Sequence, residues 1–138
     1  MAHARHLARG AALQALYLCE IGRTTPADAL GAYFAEHGAA LSDEARAFTR
    51  ELVIGAVADQ AEIDRLIGEH ARNWRLERLA VIDRIVLRLA IWELRHHPDT
   101  AAAVVIDEAL ELARTFSGEE AVKFVNGVLD AVRKTIER

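Results

Sequence analysis

At 138 residues the chain has room for one compact domain with a real hydrophobic core, or two small lobes, and little more. Hydrophobic residues make up 52% but aromatics only 6%, with two prolines, an alanine- and leucine-rich balance that favours an all-helical protein over any sheet class. The net charge of −4 excludes a histone-like wrapper of nucleic acid, and the lone Cys19 excludes an intrachain disulfide and a multi-cysteine zinc module. The longest unbroken apolar run, residues 101–106, is far below the roughly 20 residues that span a bilayer. The arginines at positions 5 and 9 are not followed by a signal-type cleavage pattern, so the expectation is a soluble, cytoplasmic protein without membrane contact.

Helix breakers fall between periodic segments. A first helix is predicted over about residues 4–20, closed by Gly22. The second opens with Thr25 as N-cap, Pro26 at the first helical position and Asp28 on the positive end of the dipole, and ends at Gly38. Ser42 caps a long pattern running through Phe48, Leu52, Val57, Ile63 and Ile67, with a bend or break near residues 58–61. A strong helix follows over about residues 77–96 and stops at Pro98. Asp99 and Thr100 then offer caps for a helix to about Phe116. Ser117 and Glu120 read as a capping box for the last helix. The sum is six or seven helices joined by short loops.

One helix is central. Apolar residues occupy nearly its whole circumference between Leu79 and Leu94, the pattern of a helix packed on several sides. Arg84, Arg88 and Arg95 lie within an arc of about 40°. They form either a solvated or ion-paired edge of that helix or an anion or partner contact. In the last helix Ala121, Val125, Val128, Leu129, Val132 and Ile136 form a core stripe, and Gly127, costly in mid-helix, suggests a close helix approach.

Parts for catalysis are missing. There is no Gly-rich phosphate loop, no H-E-x-x-H and no G-x-S-x-G. Ser42 and Ser117 serve better as caps, and Cys19 reads as a small buried thiol. The histidine pairs at 3 and 6 and at 96 and 97 lack companions at ligand spacing. No enzyme, cofactor or metal site is expected.

Charge placement says more than the total. Residues 1–26 carry a net +2 and residues 72–98 a net +3, whereas residues 27–71 carry −6 and residues 99–138 carry −3. On the first helix Arg5, His6, Arg9 and Tyr17 share an arc of about 120°, opposite Leu7, Ala11, Ala15 and Leu18. Cations beside an aromatic ring suit single-stranded RNA, which offers phosphates and unstacked bases. Leu13 and Leu16 fall in the same arc, so its far half should be covered by another helix. On the last helix Phe124 lies about 40° off the core stripe. It reads as a core-edge ring or as an exposed stacking ring beside Lys123.

These residues carry a resemblance. The stretches VIDRIVLRLAIWEL (81–94), VIDEALELA (105–113) and KFVNGVLD (123–130), with LQALY (13–17) near the start, resemble the bacterial NusB transcription antitermination family over essentially the whole chain. The resemblance implies one all-helical RNA-binding domain over residues 1–138, built as two three-helix subbundles with an extra N-terminal helix. It further implies binding of boxA-type RNA of ribosomal RNA transcripts together with NusE, a small-subunit ribosomal protein, so that RNA polymerase resists termination. By the same resemblance Arg5, His6 and Arg9 occupy the family's arginine-rich motif. Gln14, Tyr17, Glu120, Lys123 and Phe124 match positions near RNA, and Glu77 and Asp83 match acidic positions near the NusE and RNA contact. Here His6 and Leu7 stand where further arginines are common, which predicts weak RNA binding without NusE. The alternative is a helical interaction scaffold, or a homodimer whose contact surface covers the arginine face.

Overall fold

The computed structural model describes residues 2–71 and 76–136. Among these residues seven α-helices and two single-turn 3₁₀ helices make up the regular structure, and there is no strand. The chain divides into two compact units, residues 1–58 and 59–138.

The first unit holds α1 (Ala2–Gly22), α2 (Pro26–His37) and α3 (Asp43–Ala58). Alanines 8, 11, 12 and 15 of α1 are at most 2% exposed, and side chains this small let α2 and α3 pack close against its axis. Leu13, Leu30, Leu52 and Val53 fill the remaining space. Both expected caps form: the Asp28 amide donates to Thr25 Oγ1 at 3.1 Å, and the Ala45 amide donates to Ser42 Oγ at 3.1 Å. The left-handed residue that closes α1 lies one position beyond its glycine. Arg23, not Gly22, takes the left-handed conformation, with φ 54°, and the Thr24 amide closes the helix on the Cys19 carbonyl at 3.1 Å.

The second unit holds α4 (Gln60–His70), α5 (Val81–His96), α6 (Ala102–Phe116) and α7 (Glu119–Thr135). The break expected near residues 58–61 falls at Asp59. The central helix is α5, which packs against α4, α6 and α7. From Ile85 to Leu94 only Arg88 interrupts its buried residues. It starts four residues later than the sequence suggests. Leu76–Arg78 instead form a 3₁₀ turn closed by the Leu79 amide on the Leu76 carbonyl, and Leu79 is buried at 8% exposure. The break expected after Asn73 and Trp74 lies outside the described residues.

Two other expectations fail at helix starts. The N-cap of α6 is Ala101, without a side-chain bond, and not Asp99 or Thr100. The capping box at Ser117 does not form either. Ser117 belongs to the end of α6, its amide donating to the Ala113 carbonyl at 2.8 Å, and Gly118 opens α7 at φ 136°, a conformation that favours glycine. The α7 stripe is buried from Ala121 to Val132, whereas Ile136 lies beyond the helix end and is half-buried. Gly127 is exposed, and a Cβ there would meet nothing within 4 Å, so no close helix approach accounts for it.

Candidate nucleic-acid interface

The face expected on α1 is only partly open. His6 is exposed, with its ring stacked 6.5 Å from that of His3, and Tyr17 is 40% exposed. Arg5 is half-buried. Arg9 is 7% exposed. Both guanidinium groups lie over the ring of Phe48 in α3, with Cζ 4.7 Å from its centroid for Arg5 and 5.8 Å for Arg9. The half-buried Gln14 turns its amide back to donate to the Gly10 carbonyl at 3.2 Å. Leu13 and Leu16 are covered, as their place on the arc demands.

The opposite arc departs from expectation. Ala11 and Ala15 are buried, but Leu7 is 37% and Leu18 46% exposed, and Ile21 joins them at 58%. These three residues fall on one side of the helix and leave α1 with an aliphatic row beside its polar one. Cys19 is half-buried, and its thiol donates to the Thr24 carbonyl at 3.0 Å. Burial, and next the Glu20 carboxylate, push the thiol up from its ordinary value, which makes it a poor nucleophile.

In the second unit, Glu120, Lys123 and Phe124 follow one side of α7 at spacings of three and four residues. Glu120 and Lys123 are exposed, and Phe124 is half-buried, between the two readings its sequence position allows. Glu77 is exposed on the 3₁₀ turn. Asp83 sits in the first turn of α5, and among the described residues its buried Oδ1 has no hydrogen-bond partner.

Two of the three arginines of the α5 stripe, Arg88 and Arg95, form an ion-paired edge. Arg88 grips Asp64 of α4 through Nε at 2.8 Å and Nη2 at 3.0 Å, and Arg95 Nε lies 3.2 Å from Asp59. Arg84 donates from Nη1 to the Leu76 carbonyl at 3.4 Å. Arg88 and Arg95 therefore meet carboxylates within their own unit. Among the described residues no group of three or more His, Cys, Asp and Glu is placed to hold a metal, and no helix is long and apolar enough to cross a membrane.

The decisive comparison is with known families: the NusB family model matches residues 6–134. The chain belongs to the NusB family. The transcription antitermination protein NusB of Myxococcus xanthus is 45% identical over 137 residues, covering 98% of both chains. NusB of T. maritima, at 36% identity, superposes with a TM-score of 0.87 over 94% of this chain and 90% of that one. A chain from the crystal structure of antitermination factors NusB and NusE in complex with dsRNA matches with a TM-score of 0.89 at 30% identity, covering 98% of this chain and 99% of that one. The two solved structures share the helical fold described above.

Sequence reasoning missed Phe48 as the ring beneath the two arginines. It lies about forty residues from them in the chain and appears in the pattern only as a core position of α3. The exposed Leu7, Leu18 and Ile21 were missed because a helical wheel orders directions without saying which of them a neighbouring helix covers.

Proposed function

We infer that this protein is an RNA-binding transcription antitermination factor that acts with NusE and helps RNA polymerase resist termination. The observation that carries this reading is the near full-length match to a chain of an antitermination complex of NusB, NusE and dsRNA. The RNA it takes is boxA-type single-stranded RNA of ribosomal RNA transcripts. Its activity is binding, not catalysis, and its place of action is the cytoplasm.

The recognition residues follow from charge and exposure. Arg5 and Lys123 supply cations to phosphates, with His6 adding charge when protonated. Tyr17 on α1, with Gln14 three residues before it, and Phe124 on α7, with Glu120 four residues before it, each offer a ring for a base. Arg9, largely covered, adds to the local field more than to direct contact. Glu77 and Asp83 form the acidic side that meets NusE. With two or three phosphate contacts, log K against log salt should slope at about −1.5 to −2 on single-stranded RNA. Binding by this chain alone is then weak, and NusE supplies a large share of the affinity. Titration of labelled boxA RNA with and without NusE tests this, and equally tight binding in both series would sink it.

The aliphatic row of Leu7, Leu18 and Ile21 favours a second reading, a homodimer or interaction scaffold in which α1 is covered. Gel filtration over a concentration series, with and without RNA, separates the two. A dimer that persists with RNA bound would favour the second.

A further inference from the structure

Three glycines inside helices, Gly31 of α2, Gly68 of α4 and Gly127 of α7, are exposed, and a Cβ built on any of them meets nothing within 4 Å. Glycine is disfavoured inside a helix against every residue but proline, and no steric demand of the packing explains these three. What differs among them is the surface that each leaves bare. A helical side chain leans toward the N-terminus and covers the turn before its own Cα, so a missing one uncovers the residues three and four positions earlier. Behind Gly31 these are Asp28 and Ala27, neither a ring nor a cation. Behind Gly68 they are Arg65, bonded to Glu62 and Glu69, and Asp64, bonded to Arg88. Behind Gly127 they are Phe124 and Lys123. On the helical wheel Gly127 falls between these two, about 40° from Lys123 and about 60° from Phe124, on the side away from the buried stripe. Lys123 is exposed and Phe124 half-buried. A side chain at position 127 would lie over the exposed part of Phe124 and against the stem of the lysine, and glycine keeps that notch open. The notch asks nothing of the buried part of Phe124, whose packing stays as it is.

We propose that Gly127 sets the clearance of the α7 RNA face: its missing side chain lets one nucleotide of single-stranded RNA lie against the helix, base toward the Phe124 ring and phosphate toward the Lys123 ammonium. A base stacks only at van der Waals contact, which a side chain between it and the ring would deny. The proposal rests on the RNA-binding reading above and deepens it by naming the residue that decides whether a nucleotide can reach this part of the site.

The test is fluorescence anisotropy with a labelled boxA-type single-stranded RNA and NusE, beside the melting midpoint of each variant. Gly127→Gln, a longer uncharged helix former, should raise the midpoint and yet weaken RNA binding about fivefold or more, the lower end of what one stacked base contributes. Gly127→Ala, which reaches less far over the preceding turn, should bind RNA with an affinity between that of Gly127→Gln and the wild type. Gly31→Gln should raise the midpoint and leave RNA affinity unchanged. Unchanged or tighter RNA binding by Gly127→Gln would overturn the proposal, as would a lower midpoint, which would trace the loss to the fold, or an equal loss from Gly31→Gln. NusE titrated without RNA should bind the wild type and Gly127→Gln alike; a loss there matching the loss with RNA would assign the notch to the protein partner and overturn the proposal too. Lys123→Ala and Phe124→Ala report on the underlying site. If both leave RNA affinity at the wild-type level, the α7 RNA face falls and the clearance role with it. If either weakens binding and Gly127→Gln does not, only the clearance role falls.

Discussion

Glycine and its opposite make the sharpest test of the helical packing. Gly127 lies in the middle of α7 and Gly31 in the middle of α2, both are exposed, and a Cβ built on either meets nothing within 4 Å. Gly127→Ala and Gly31→Ala should therefore gain the full propensity difference, about 0.8–1 kcal/mol each, with no steric cost to set against it. The unfolding entropy of a chain of this length is roughly 0.3 kcal/mol per kelvin at about 2.1 cal/mol/K per residue, so each substitution should raise the melting midpoint by about 3 °C. Two positions reverse the sign. Gly118→Ala should destabilise, because φ 136° is closed to an L side chain without strain. Arg23→Gly should stabilise. Relief of a left-handed penalty of about 1–2 kcal/mol exceeds the roughly 1 kcal/mol by which glycine favours the unfolded chain. Differential scanning calorimetry of the four variants reads all of this. A lower midpoint for Gly127→Ala would refute the reasoning, since it requires a contact at that Cβ position which the packing of α7 does not contain.

Asp64→Ala should cost about 1.5–3 kcal/mol in urea unfolding, because it strips a two-point charged hydrogen bond from the mostly covered Arg88; a loss below 0.5 kcal/mol would place the pair with weak surface bridges. Tyr17→Ala and Phe124→Ala should each weaken boxA binding by about 1–3 kcal/mol if the rings stack on bases, and a lower melting midpoint with unchanged RNA affinity would return both to the core. Arg133, and next Lys134, hold the Asp130 carboxyl below its ordinary value. A depressed carboxylate stabilises the fold at pH values above its unfolded pKa, and that contribution is lost as pH falls through the folded value. Asp130→Asn should accordingly flatten the stability profile below about pH 4 and leave its slope near pH 7 unchanged; an altered slope near neutrality would contradict the assignment.

How legible each feature was depended on the distance over which it is decided. Thr25 and Ser42 cap their helices as read, because a cap is settled among four consecutive residues. The all-round apolar pattern of α5 correctly announced a central helix, since burial on every side leaves no polar face in the sequence. Ser117 misled because two helices competed for it: the end of α6 took its amide, and Gly118 supplied the turn. The expected start of α5 was too early because burial of Leu79 held the preceding residues in a separate turn.

The candidate site shows the same division. Arg5, His6, Arg9 and Tyr17 could be placed on one arc from 3.6-residue periodicity alone, and the helical class and family membership were already written in the motifs. Exposure was not. That Arg9 is covered, that Leu7 and Leu18 are open, and that the α5 arginines face Asp59 and Asp64 all depend on which helix lies alongside. The sequence by itself determined directions around each helix, because these follow from backbone geometry common to all residues. Only the tertiary structure decided which directions meet water and which charges meet partners, because those contacts join residues far apart in the chain, as Arg5 and Phe48 do.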